Sequence, residues 1–486
     1  MTILCRFPLF ARPRRASFLL LGLCAALVAG CAPLPPQDKA PEPKDVSLYP
    51  SQQSFNAADK PWPQENWWHT YGDAQLDALI AEGIKESPSM AIAIARLKRA
   101  EATTQITGSA MQPQLDAHAK PTIEKQSYNY LFPRSAVPQG WNDYGLATLN
   151  FSWEIDFWGK NRAALAAATS TQQAAAADAA QARLTLTTSI AAAYGELARL
   201  YAAHDTASEA LLVRKKSLEL FLNRFKHGME TLLSVKQAQA RLASSEEELL
   251  ALDEQIALQR NKLAALLGTG PNRGLTIARP KLDVAAGFGL PPQLQLELLG
   301  RRPDVVAARM RAEASEQSIK KQQAEFYPNV NLSAMIGVQT LGLNMLTKSG
   351  SDLGSIGPAI SLPIFNGGRL RAQLFGARAE HEEAIATYNQ TVTQALQQVA
   401  DAAVSQRSLG LQLAAAARAV TAAREAHRIV KHRYDGGLSN YLEVLTAEET
   451  LLASLRTQSD LQSRSFTQDV ALVKALGGGY RAPSKN

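Results

Sequence analysis

The chain has 486 residues, 20% of them charged, and a formal net charge of +7. Its three cysteines, Cys5, Cys24 and Cys31, leave the rest of the chain without a disulfide, a reactive thiol or a thiolate-ligated metal. Arg6, Arg12, Arg14 and Arg15 carry four of the seven surplus charges in an acid-free leader, and the remaining +3 gives no argument for nucleic-acid binding.

The leader has the order of a secretory signal: a basic start, an apolar run from Phe18 to Ala29, then small residues at a cleavage site. Val28-Ala29-Gly30-Cys31 resembles the bacterial lipobox, which implies cleavage before Cys31 and a covalent lipid on its sulfur. Ala32 follows where an Asp would signal retention at the inner membrane, so the outer membrane is the expected destination. Residues 1–30 are expected to be this signal, and 31–68 a lipidated, Pro- and Lys-rich tether leading into an equatorial segment. Beyond the leader no apolar run reaches the roughly 18–20 residues of a membrane helix, so any crossing is made by strands closed into a barrel.

The remainder reads as two repeats, 69–284 and 285–478, followed by a tail, 479–486. Ser87-Pro88 and Gln112-Pro113 match Arg302-Pro303 and Tyr327-Pro328 at a separation of 215 positions. Arg224-Phe225, Gly228, Leu233, Val235 and Leu267-Gly268 match Arg433-Tyr434, Gly437, Leu442, Val444 and Leu476-Gly477 at 209. A constant shift that changes once is the mark of duplication followed by shortening of a loop.

Each repeat opens with a short amphipathic helix, at about 73–86 and 291–301, and a second helix with Pro in its first turn, at about 88–111 and 303–327. A second proline ends that helix. Period-two segments follow at about 114–126, 143–154, 329–341 and 355–364. Leu115, Ala117, Ala119 and Ile123 alternate with Asp116, His118 and Lys120, and Ala147, Leu149, Phe151 and Trp153 alternate with Thr148, Asn150 and Ser152. Val330, Leu332, Ala334, Ile336 and Val338 repeat the pattern. Such strands have one apolar and one polar face, which suits a barrel with lipid outside and water inside. Tyr128, Tyr130, Trp141 and Tyr144 lie where an interfacial aromatic girdle would be.

Residues of about 161–226 and 369–435 then lack Pro and nearly lack Gly, and are rich in Ala, Leu, Gln, Arg and Glu. At 1.5 Å per residue, some 65 residues make a helix of about 100 Å. Small residues on every face suit helices packed on both sides, as in the wall of a cylinder. A Gly-containing break and a shorter helix complete each repeat.

From Trp67 to Gly478 these features resemble the TolC-like outer-membrane efflux family, and most closely its lipid-anchored OprM/NodT-type branch. The motifs carrying the resemblance are Trp67-Trp68, Tyr71 and Asp73 through Leu79, Ser87-Pro88, and Trp153-Glu154-Ile155-Asp156-Phe157-Trp158-Gly159-Lys160. Arg301-Arg302-Pro303-Asp304-Val305, Phe326-Tyr327-Pro328, Pro363-Ile364-Phe365-Asn366-Gly367-Gly368, and Arg433-Tyr434 with Gly437 and Tyr441-Leu442 complete the set. The resemblance implies an α+β membrane protein. Long antiparallel helices would form a periplasmic α-barrel, and four strands per chain would enter a shared trimeric 12-stranded β-barrel. It further implies a homotrimer in contact with outer-membrane lipid, a periplasmic adaptor (membrane fusion) protein, and an inner-membrane RND- or MFS-type transporter. Apart from the lipid on Cys31 no cofactor is implied, and the role is that of a passive exit duct for drugs or other small molecules.

By the same resemblance the gate lies where the long helices turn, at Arg224 to Val235 and Arg433 to Val444. Tyr434 matches a family tyrosine of the closed-state network, and Glu443 matches a pore-facing acid. Ser439 and Thr446 stand where relatives carry charges, so the network is expected to be thinner here. Arg224, Lys226 or Arg433 is expected to pair with Asp435 or Glu443 between neighbouring helix pairs. Gly228 and Gly437 are expected to permit the turns at the adaptor-facing tip through positive φ. Three Glu443 side chains in a ring would favour cations.

Other function classes fit less well. His381-Glu382-Glu383 lacks the second histidine of a zinc helix, Gly268, Gly270 and Gly274 lack a P-loop lysine, and His427 and His432 are five apart, off one helical face. A structural coiled-coil lipoprotein explains the helices but not four alternating segments at repeat-related positions. A type I protein-secretion channel shares the fold, and the lipobox favours small-molecule efflux over it.

Overall fold

A computed structural model describes residues 41–50, 53–55, 57–282, 289–291 and 294–482. The leader, Cys31, residues 283–288 and the last four residues lie outside them. In chain order the main helices of the first repeat are α1 (Ala74–Glu86), α2 (Pro88–Ser109), α3 (Lys160–Lys226) and α4 (Leu232–Leu267), with a helical turn α5 (Asn272–Leu275) after them. Those of the second are α6 (Leu294–Arg301), α7 (Pro303–Ala324), α8 (Arg369–Asp435) and α9 (Tyr441–Ala475). The strands are β1 (Gln114–Glu124), β2 (Asn142–Glu154), β3 (Asn329–Leu341) and β4 (Asp352–Ser361). No helix among the described residues is long and apolar enough to cross a membrane.

The chain divides into two units. One is built mainly from Ala100–Gln172 and Arg311–Ile385 and contains, among the described residues, one antiparallel sheet in the order β1-β2-β3-β4. Its register brings the apolar parities of all four strands onto one face. Leu115 lies opposite Phe151, Phe151 opposite Ala334, and Ala334 opposite Ile356. One step along, Ala117, Leu149, Ile336 and Gly354 are aligned in the same way. The opposite face carries Asp116, Asn150, Met335 and Ser355 in one such row. Within this chain the apolar face is open: Leu115 is 67% exposed, Ile336 63% and Ile356 81%.

The outer strands each contain a proline, Pro121 in β1 and Pro358 in β4. Proline donates nothing to a ladder, so it is tolerated in strands that leave one edge unpaired. The fourth strand lies three residues earlier than the sequence pattern suggests, ending at Ser361 before Pro363, while Ile364 sits beyond it. Period two alone does not fix where pairing starts; here Val338 opposite Asp352 does.

Beyond the end of β2, capping fixes the local geometry. Asp156 accepts hydrogen bonds from the amides of Asn161 (3.2 Å) and Arg162 (2.9 Å), satisfying unpaired donors in the first turn of α3. Trp158 stacks on Tyr327 at 4.7 Å and donates its indole N–H to the Pro328 carbonyl at 2.8 Å. Thus the tryptophan motif of the first repeat fastens the residues that enter β3.

The second unit comprises Pro43–Arg99, Gln173–Met310 and Ala386–Asn486. Its largest apolar cluster gathers Trp67, Trp68, Tyr71, Leu76, Leu79, Ile80, Ile190, Tyr194, Leu197, Phe466 and Val470. Asp73 caps α1 and also accepts from the Tyr194 hydroxyl and the Lys281 amide, each at 2.8 Å. Burial works against its carboxylate, yet these bonds together hold its pKa below the ordinary value. Arg302 is buried and bridges Asp304 (2.6 Å), Gln398 (2.9 Å) and the Ala475 carbonyl (3.1 Å). The Trp-Trp, Tyr, Asp and Arg-Arg-Pro-Asp motifs are therefore fold-holding residues.

Candidate functional site

The two turns that end the long helices are built alike. At the end of α3, Gly228 has φ of 73° and donates to the Phe225 carbonyl, while Met229 donates to Arg224. At the end of α8, Gly437 has φ of 67° and donates to the Tyr434 carbonyl, while Leu438 donates to Arg433. Both are Schellman motifs, whose left-handed residue favours glycine. Each is followed by an N-cap: Thr231 accepts from the Ser234 amide at 3.2 Å, and Asn440 from the Glu443 amide at 3.0 Å.

Across these turns the side chains meet in one cluster. Phe221, Val235, Ala238, Tyr434, Tyr441, Val444 and Leu445 form a buried apolar centre, with the Phe221 and Tyr441 rings edge-to-face at 3.9 Å. Tyr434 is 3% exposed and donates its hydroxyl to Glu230 at 2.9 Å. Arg224 lies over the Tyr434 ring at 4.2 Å and donates to the Tyr434 carbonyl at 3.2 Å. Burial, then the Glu230 carboxylate, pushes the Tyr434 pKa up to about 12, so its hydroxyl keeps the proton it donates. Burial likewise raises Tyr441 to about 12.

Of the residues singled out from the sequence, Arg224 and Tyr434 are brought together. Arg433 instead donates to the Leu438 carbonyl at 3.2 Å within its own turn. Glu443 is exposed and accepts from the Ser439 hydroxyl at 2.6 Å. Lys226 and Asp435 are exposed beside the glycines. Among the described residues of this chain, no ion pair joins Arg224, Lys226 or Arg433 to Asp435 or Glu443. Sequence reasoning missed Glu230, the partner of Tyr434. Its signal was available, because Glu230 is the repeat mate of Ser439 and the exchange of an acid for a hydroxyl marks a divergent pair.

The same comparison missed the polar contacts behind the turns. Arg241 pairs with Glu449, and Arg456 with Glu248 at 2.6 Å. Among the described residues no group of acids, histidines and cysteines has the arrangement of a metal site.

An amphipathic antiparallel sheet with two open edges, joined in one chain to very long paired helices, defines a channel-forming outer-membrane protein. The profile of the family described as "Outer membrane efflux protein" matches residues 79–269 and 294–478. The chain belongs to that family. It is 31% identical over 467 residues to the multidrug resistance outer membrane protein MdtP of Escherichia coli K12, covering 94% of this chain and 95% of the relative. It is 35% identical over 359 residues to the fusaric acid resistance protein FusA of Burkholderia cepacia, covering 73% of this chain and 67% of that one. The crystal structure of the outer membrane protein VceC from Vibrio cholerae superposes with a TM-score of 0.82 at 49% identity, covering 86% of this chain and all of that one. This is a transport protein of the outer membrane, as its sequence motifs imply.

Proposed function

We propose that this chain is the exit duct of a tripartite efflux pump, exporting drugs or other small molecules. The observation that carries the reading is the sheet: one continuous apolar face and, among the described residues, two edges left unpaired. Open edges cannot face lipid, so four strands close only with copies of themselves. Three chains give a shared 12-stranded barrel. The long helices form the periplasmic duct, and a periplasmic adaptor and an inner-membrane RND- or MFS-type transporter supply the energy and choose the cargo. Cys31 carries the lipid that fixes the amino terminus to the membrane. The names of MdtP and FusA, which speak of multidrug and fusaric acid resistance, support small-molecule cargo.

The paired turns are the gate. Tyr434, Glu230 and Arg224 hold the turn of α8 against that of α3, and Gly228 and Gly437 allow both turns. Arg433, Lys226, Asp435, Ser439 and Glu443 are exposed or half-buried around them, where a neighbouring chain or the adaptor would meet them. A threefold ring of Glu443 makes the closed mouth cation-favouring. Partly exposed pairs between chains are individually worth under about 1 kcal/mol, small enough for an adaptor to displace.

The test is expression in a strain deleted for its outer-membrane efflux channels, with drug susceptibility, heat-sensitive migration of the oligomer and radiolabelled palmitate incorporation measured together. The reading predicts a labelled trimer that restores resistance, with the label lost in Cys31→Ser. Restoration of protein secretion in place of resistance would support the type I alternative, and a soluble monomer would overturn both.

A further inference from the structure

Arg214 on α3 joins three helices. Its Nη1 donates to the Arg241 carbonyl at 3.0 Å and to the Ser245 hydroxyl at 2.5 Å, both on α4. Its Nε faces the Glu448 carboxylate on α9 at 3.8 Å. Ser245 is 2% exposed and Glu448 4%, so this contact is interior. On its flank α4 and α9 exchange two further pairs, Arg241 with Glu449 and Glu248 with Arg456. The partners are seven residues apart on both helices, so α4 and α9 run in the same direction, and the polarity of the second pair is reversed.

That reversal has a consequence for sliding. If α9 slipped by one heptad along α4, Arg241 would face Arg456; in the other direction, Glu248 would face Glu449. Both slips bring like charges together, the device by which coiled coils fix register. We propose that Arg214, Glu448 and the two reversed pairs form a register lock, so that the turns open by swinging about this point and not by α9 sliding along α4. The lock positions Glu443, five residues before Glu448, and Tyr441, whose buried hydroxyl has no hydrogen-bond partner among the described residues. These are positioning residues, and their role rests on the gate reading above.

The energetics favour placement over stability. Burial pushes Glu448 up; Arg214 on α3 and Arg241 on α4 draw it down, Glu449 on its own helix adds to the rise, and the net shift is upward. A buried ion pair of this kind contributes little to stability and can specify one arrangement.

The experiment uses full-length trimers in planar bilayers, with Glu448→Gln, Arg241→Glu, and the fourfold exchange Arg241→Glu/Glu449→Arg/Glu248→Arg/Arg456→Glu, which restores both pairs and keeps their opposite polarity. Glu448→Gln is expected to leave the heat stability of the trimer at or above wild type. It should raise open probability roughly two- to fivefold, the range a single ion pair can carry. Arg241→Glu is expected to raise it similarly, and the fourfold exchange to return it towards wild type. A purely structural role would lower trimer stability and show no such return. If Arg241→Glu does not assemble, Glu448→Gln and Glu449→Gln decide. Closed, wild-type behaviour of the lock variants beside an opened Tyr434→Phe would overturn the lock and leave the gate standing. Wild-type conductance in Tyr434→Phe and Glu443→Ala as well would remove the gate reading, and the lock with it. Opening by Arg241→Glu that the exchange fails to reverse would also overturn it.

Discussion

The turn after α3 and the turn after α8 share a backbone and differ in what they do with it. Both end in a Schellman motif with glycine at positive φ, and both restart at a side-chain N-cap on the third following residue. Yet Phe225 in the first is 41% exposed, whereas its repeat mate Tyr434 is 3% exposed. Glu230 of the first turn corresponds to Ser439 of the second, and Ser234 to Glu443. Duplication thus supplied two equal hairpin ends, and divergence turned them into complementary halves: the acid of one receives the hydroxyl of the other. The lesson is that contacts across the repeats, and not the helical hairpins themselves, define the site.

The largest effect should come from removing the floor common to both turns. Phe221 is 1% exposed and touches both Tyr434 and Tyr441. Phe221→Ala is expected to cost about 3–5 kcal/mol locally, read as loss of amide-exchange protection in both turns. Protection lost in one turn alone would break the idea of a shared centre.

Next come the glycines. Gly228→Ala and Gly437→Ala place a side chain in the left-handed region and should each cost about 1 kcal/mol. Their equality, measured by amide exchange, tests whether the two backbones are equivalent. A large difference would mean that one turn is held by its surroundings.

Comparable in size is the polar link. Tyr434→Phe, which makes the second turn resemble the first, removes a hydrogen bond to a carboxylate worth about 1.5–3 kcal/mol at most. It should raise conductance, and Phe225→Tyr should leave conductance unchanged. The raised pKa of Tyr434 gives this link a pH window. Folding favours the protonated hydroxyl, so its stabilisation is complete below the unfolded tyrosine value near 10 and is lost as pH rises through about 12. Amide-exchange protection of the second turn should fall over that window in wild type and not in Tyr434→Phe. Smallest of all, Glu443→Ala should leave stability within about 0.5 kcal/mol of wild type, since the side chain is exposed, while reducing cation preference.

Much of this architecture is legible in the sequence. Period-two alternation locates the strands because a half-buried strand must alternate, and the absence of proline and near-absence of glycine from residue 161 to 226 and from 369 to 435 locates α3 and α8. The repeat offset locates both turns. Strand ends are less legible: β4 begins at Asp352 because of its register with Val338, a long-range fact with no local signal. The site was readable residue by residue only where one turn served as a template. Tyr434 came from a motif, but its partner Glu230 and the bridging Arg214 lie on other helices, and spacing along one helix says nothing of them. The expected pairing of Arg224, Lys226 or Arg433 with Asp435 or Glu443 between neighbouring helix pairs is not made within this chain among the described residues. Within one chain Arg224 is committed to Tyr434.

The central claim is that these complementary turns close a trimeric channel. Its most direct test is single-channel conductance of the purified wild-type protein in a planar bilayer, beside Tyr434→Phe and Glu443→Ala. The account predicts a heat-sensitive trimer of low conductance, raised in Tyr434→Phe and altered in ion preference by Glu443→Ala. A trimer that conducts freely as wild type and is indifferent to both substitutions would contradict it.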